Sequence, residues 1–103
     1  VEQLTVQELR EWLESDKTFE LLDVRTPEER AVASIDGSAL LTNEEAQRIE
    51  SLPRTTTHVF HCKMGGRSQQ AAEHFASLGF NPVYNVVGGM DAWLEAFGNT
   101  APE

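Results

Sequence analysis

Apolar positions recur along the chain in two alternating rhythms. Val6, Leu9, Trp12 and Leu13 fall at helical spacing behind Thr5-Val6-Gln7-Glu8, which reads as a capping box and predicts a helix to about Glu14. After the turn Ser15-Asp16-Lys17, the run Phe19 to Val24 is mostly apolar and suits a strand covered on both faces. Thr26-Pro27-Glu28-Glu29 starts a second, short helix, with Thr26 as N-cap, Pro27 in the first turn and the end near Ala33. Ile35-Asp36-Gly37 turns into a short strand, Ser38 to Leu41, and Thr42-Asn43-Glu44-Glu45 reads as a third capping box. It opens a helix through Ala46 and Ile49 to about Ser51, before Pro53.

The second half repeats the rhythm. Thr57 to His61 is strand-like, and Gln69 to Leu78 is helix-like, with Ala71, Ala72, Phe75, Ala76 and Leu78 on the buried side and Gly79 as the stop. Asn81-Pro82 turns into the strand Val83 to Val86. Gly88-Gly89 then leads into a last helix carrying Met90, Trp93, Leu94 and Phe97, and Gly98 to Glu103 reads as a tail. Strands alternating with helices predict an α/β fold, a mainly parallel sheet with helices on both faces. On such sheets ligands sit at the carboxyl ends of strands.

One stretch stands at such an end: Cys62-Lys63-Met64-Gly65-Gly66-Arg67-Ser68. It holds the only cysteine. Two glycines permit positive φ, so that successive N–H groups can turn inward, and the following helix start adds free donors and the positive end of its dipole. All of these favour an anion at the sulfur. Composition sharpens the point. The 103 residues carry a formal charge of -9, which argues against nucleic acid and anionic membranes as partners, so Lys63 and Arg67 form a local positive spot in an acidic chain. The length suits a single domain, 1–103, and a monomer is expected. A lone cysteine, no apolar run of membrane-spanning length and no secretory pattern suit a reducing compartment, with the cytoplasm as the expectation. The chain begins at Val1 rather than Met, which leaves a processed form or a piece of a longer protein open.

The chain resembles the rhodanese-like sulfurtransferases over most of its length. Leu22-Asp23-Val24-Arg25 with Glu29, Ile35 and Gly37 is similar to that family's N-terminal signature. Cys62 to Ser68 is similar to its active-site loop, and Val87-Gly88-Gly89 with Ala92-Trp93 to its C-terminal signature. The sequence departs from the usual pattern at Arg30, Ala33-Ser34, Ser38 and Thr42. The resemblance implies a sulfur carrier: Cys62 takes a sulfane sulfur from a small anionic donor such as thiosulfate, becomes a persulfide, and passes the sulfur to cyanide or a thiol, including a protein thiol. No metal or organic cofactor is required. Only a thiolate attacks, and an ordinary cysteine with pKa about 8.5 is only ~3% thiolate at pH 7. Lowering that pKa by ~2 units takes roughly 2.7 kcal/mol of preferential stabilisation.

Each residue also has a plainer role. Lys63 is either solvated or attracts an anionic donor; Met64 is an apolar rim or loop filler; Gly65 and Gly66 form the anion nest. Arg67 is expected to act structurally first, through loop carbonyls or acidic side chains, with electrostatic help to the sulfur second. Ser68 is expected to be the N-cap of the next helix, or a donor to sulfur. Arg25 is expected in an ion pair, with Glu29 one turn on as the candidate partner. His61 adjoins Cys62, but strand alternation points neighbours to opposite faces, so it is expected to pack on the scaffold rather than take the thiol proton. His58, His61 and Cys62 match no standard metal spacing. The enzyme alternative is a cysteine phosphatase, whose loops place five residues between cysteine and arginine; here there are four, Lys63 to Gly66. The non-enzyme alternative is a regulatory rhodanese-like binding module, which typically lacks the cysteine.

Overall fold

The computed structural model describes residues 1–98, so the expected tail lies outside the described residues apart from Gly98. Five strands form one parallel sheet: β1 (Glu2–Leu4), β2 (Glu20–Asp23), β3 (Ala39–Leu40), β4 (His58–His61) and β5 (Val83–Val86), in the order β1-β5-β4-β2-β3. Helices α1 (Val6–Leu13), α2 (Pro27–Val32), α3 (Asn43–Glu50), α4 (Gly66–Ser77) and α5 (Gly89–Phe97) alternate with them.

Side-chain alternation along the strands builds two cores. Leu21, Val59 and Val86 pack on one face with Val6 and Leu9 of α1 and Met90 and Trp93 of α5. Leu22, Phe60 and Val83 pack on the other with Ile49 of α3 and Ala72 and Phe75 of α4. The Phe60 and Phe75 rings stack there at 5.3 Å. Every residue of β4 is buried, as a central parallel strand requires.

The capping boxes at Thr5–Glu8 and Thr26–Glu29 are both complete. At Thr42 only one half forms: its hydroxyl accepts from the Glu45 amide, while the Glu45 carboxylate binds Arg48. The sequence pattern does not predict β1, because Glu2-Gln3-Leu4 shows no apolar alternation and carries little strand signal. It exists by pairing with β5, Glu2 opposite Tyr84 and Leu4 opposite Val86. Leu78 is a correction: it is 37% exposed, and Phe80 takes the buried place beside Phe75. Trp12 is half-buried, edge-on to Phe19 and Tyr84.

Candidate active site

Strand β4 delivers Cys62 to the carboxyl edge of the sheet, where it is buried at 1% exposure. The chain then turns through Lys63, Met64 and Gly65 straight into α4, three residues earlier than the sequence pattern suggests. Gly65 is the N-cap, at φ 112° and ψ −11°, a conformation that costs a side-chain-bearing residue strain. Ser68 is therefore not the cap. It sits in the first turn, fully buried, with its hydroxyl 3.3 Å from Cys62 Sγ and 2.6 Å from Asn85 Oδ1. Gly66 is the first residue of α4 and has no positive φ, so the nest rests on Gly65 alone.

The sulfur faces donors. The Gly65 amide lies 3.0 Å from Sγ. Burial, the largest single influence, works against ionisation, but the Ser68 hydroxyl and the amides of Ser68, Gly65 and Met64 outweigh it and hold the thiol below its ordinary value. The amides of the first turn of α4 lack helical partners, and the helix dipole adds to their effect.

The loop's carbonyls point away from the sulfur because α5 takes them. Met90 N donates to Cys62 O at 2.7 Å and Asp91 N to Lys63 O at 3.0 Å. Lys63 Nζ adds a surface pair with Asp91, at 3.0 Å, so this ammonium is engaged rather than free over the sulfur. Gly89 is what lets α5 come so close: a Cβ there would lie 2.3 Å from Cys62 O. Met64 is a 70% exposed rim residue.

Arg67 reaches Glu29 with two parallel bonds of 2.9 and 3.1 Å. That pairing, with the Thr26 cap, holds the Glu29 carboxyl down at about 2. The expected Arg25–Glu29 ion pair is accordingly corrected, since the Glu29 carboxylate belongs to Arg67. Arg25 instead grips the buried Asp23 at 2.8 and 2.9 Å and donates to Ala33 O, and Arg30 adds a third bond to Asp23. These contacts tie α2 to the end of β2 beside the loop. A cavity of about 240 Å³ opens there, lined by Arg25, Glu29, Val32, Lys63, Met90 and Asp91.

His61 follows alternation. Its ring is wholly buried, and neither ring nitrogen has a hydrogen-bond partner among the described residues. Burial pushes it down to about 4, against the pull of Asp23, so it is neutral at pH 7. His58 is likewise buried, edge-on to Phe80 at 5.0 Å.

Sequence reasoning passed over Asn85, Gln3 and Asp91. Only Asn85 left a signal: a polar residue on the Val83 face of an otherwise apolar strand, which the fold buries against α4.

The family model for the rhodanese-like domain matches residues 5–96. A protein named as a sulfurtransferase, YtwF of Bacillus subtilis, is 32% identical over the whole chain and 97% of its own length. MoeZ of Mycobacterium tuberculosis, named as an adenylyltransferase/sulfurtransferase, is 36% identical over 89% of this chain, which spans about a quarter (24%) of that relative. Among solved structures, a human single-domain sulfurtransferase aligns with a TM-score of 0.76 at 29% identity, over 92% of this chain and 96% of its own. A rhodanese-like domain protein of Staphylococcus aureus aligns at 0.78 and 30%, over 90% and 91%. The chain belongs to the rhodanese-like family.

Proposed function

We propose that this chain acts, as a single rhodanese-like domain, by carrying sulfur on Cys62 from a small anionic donor such as thiosulfate to a thiophilic acceptor. The observation that carries the reading is the cradle around Sγ: one amide at 3.0 Å and one hydroxyl at 3.3 Å, on a cysteine whose loop is held open by a second helix. In the first step the Cys62 thiolate attacks the outer sulfur of thiosulfate. A new S–S bond forms, the old one breaks, and sulfite leaves with its electron pair. In the second step cyanide or a thiolate attacks the outer sulfur of the persulfide, and the Cys62 thiolate is restored. This is ping-pong covalent catalysis. The donors that favour the thiolate also suit the terminal persulfide sulfur, which is anionic. Protein thiols belong among the acceptors; a relative of which this chain spans 24% is named as both an adenylyltransferase and a sulfurtransferase.

The phosphatase reading is weaker on geometry. Clamping a phosphate takes a free guanidinium fork, and Arg67 spends its fork on Glu29. A purely regulatory module has no use for a thiol held below its ordinary pKa.

The test is intact mass after incubation with thiosulfate, then with reductant or cyanide. The expected result is a gain of one sulfur, about 32 Da, that either reagent removes and that Cys62→Ser lacks, as a covalent intermediate demands. No gain from thiosulfate or from a desulfurase-generated persulfide would overturn the reading.

A further inference from the structure

Ser68 has one hydroxyl proton and two acceptors for it, Asn85 Oδ1 at 2.6 Å and Cys62 Sγ at 3.3 Å. It cannot serve both at full strength. What decides between them lies outside the loop. Asn85 Nδ2 donates to Gln3 Oε1 at 3.0 Å, Gln3 Nε2 to Gln69 Oε1 at 2.9 Å, and Gln69 Nε2 to Glu73 Oε2 at 3.0 Å. This chain of three amides runs from the buried hydroxyl across β5 and the edge strand β1 to the outer face of α4.

Its polarity is biased from the far end. A carboxylate only accepts, so Glu73 turns the Gln69 nitrogen toward itself. The Gln69 oxygen then faces Gln3, the Gln3 oxygen faces Asn85, and the Asn85 oxygen faces Ser68. Asn85 thereby competes for the single Ser68 proton and weakens, without abolishing, the hydroxyl's hold on the sulfur. Reversing the amides would present Asn85 Nδ2 to Ser68 and free the hydroxyl proton for a thiolate.

We propose that Asn85 is a positioning residue for Cys62, its amide deciding whether the Ser68 hydroxyl faces the sulfur, with the direction of that amide set through Gln3 and Gln69 by Glu73. The inference rests on the reading of Cys62 as the sulfur carrier. Other ionisable groups on the elements around the loop are Arg67 on α4, the Lys63–Asp91 pair from the loop to α5, and Asp23, Arg25 and His61 at the strand ends. None of them is altered in the variants below.

The experiment is a thiolate absorbance titration, unambiguous in a chain with one cysteine and independent of whether sulfur is transferred. Asn85→Ala removes the competing acceptor, so the Cys62 midpoint falls by about one pH unit, the worth of a charge-assisted hydrogen bond. Asn85→Asp supplies an acceptor that cannot reverse, and the midpoint rises by at least as much. Because Asn85→Asp also adds a negative charge that raises the midpoint by itself, the deciding result is the fall in Asn85→Ala; an unmoved or raised midpoint there overturns the proposal. Glu73→Gln tests the chain at an exposed position that cannot upset the core. It lowers the midpoint by a few tenths of a unit in the native background and not at all in Asn85→Ala. A shift that persists in Asn85→Ala is plain Coulomb relief and sinks the relay, even where Asn85→Asp fails to fold. Because the titration reads the thiol itself, absence of sulfur loading would overturn the function and leave this result standing.

Discussion

Two glycine pairs mark equivalent places in this fold, and they do opposite things. Gly65-Gly66 joins β4 to α4, and Gly88-Gly89 joins β5 to α5; the two strands are neighbours in the sheet. Both helices are capped by a left-handed glycine with no side chain to accept from the first-turn amides, at φ 112° for Gly65 and 77° for Gly88. Both therefore begin with free amides. Those of α4 turn to Cys62 Sγ, whereas those of α5 turn to the carbonyls of Cys62 and Lys63. An anion cradle needs its N–H groups turned in, which forces its C=O groups out, and something must satisfy them. The second helix start is what makes the first usable.

The largest break should come from the supporting pair. In Gly89→Ala the new Cβ meets Cys62 O at 2.3 Å and Lys63 O at 2.7 Å, both backbone atoms that cannot swing aside, at a φ of 55°. The loop must separate from α5 and lose two amide donors. A loss above ~4 kcal/mol, or failure to fold, is expected by urea denaturation. A stability near that of the parent would mean the loop holds its shape without α5.

Acid should come next, through the strand that carries the loop. β4 ends in the buried ring of His61, whereas β5 ends in Val86. His61 lies at about 4 when folded, below its ordinary 6.5, so the unfolded chain binds the proton first. Stability is therefore full above pH 6.5 and falls as pH drops towards 4, by roughly 3 kcal/mol from this group. His58, also lowered by burial, adds in the same direction. Below that window Asp23, held under its ordinary value by Arg25 and Arg30 in spite of burial, loses its contribution in turn as it protonates. Denaturation midpoints across this range, compared with His61→Phe, check the sign; a variant as acid-sensitive as the parent would place the effect elsewhere.

Much of this arrangement was legible in the sequence, and the exceptions share a cause. The alternation of apolar strands with capped helices gave the order of layers because both rhythms are local. The loop was legible because cysteine, glycine and arginine at fixed spacing restrict what a backbone can do. The start of α4 was misplaced because a glycine cap writes no side-chain signature, whereas Ser68 looks like a cap and is a buried donor. The sequence alone pairs Glu29 with Arg25 rather than Arg67, because which cation reaches it depends on how α2 and α4 meet. Gln3 is silent for the same reason: β1 exists only through its pairing with β5.

Gly65→Ala should have a smaller effect on stability than Gly89→Ala, since its Cβ would meet nothing nearer than 3.7 Å. Only the positive φ is costly, about 1–3 kcal/mol. Relaxing that φ would rotate the Gly65 amide off the sulfur, so the Cys62 thiol should also become a weaker acid, read by thiolate titration. Lost stability with an unmoved titration would show that the Ser68 side of the cradle suffices.

Gly66→Ala is the smallest expected change and the most informative about the proposed sulfur donor. Gly66 has helical φ, is exposed, and a Cβ there would find nothing within 4 Å. Replacing it should leave stability unchanged or raise it by roughly 0.5–1 kcal/mol, because the unfolded chain loses freedom it no longer has to give up. The fold thus makes no demand for glycine at this position. If the melting temperature holds while loading from thiosulfate slows, the space beside Gly66 is where the donor's sulfite end must sit before it leaves. If loading is also unchanged, the donor approaches from the Arg25 and Lys63 side, and only Gly65, of this first pair, is needed.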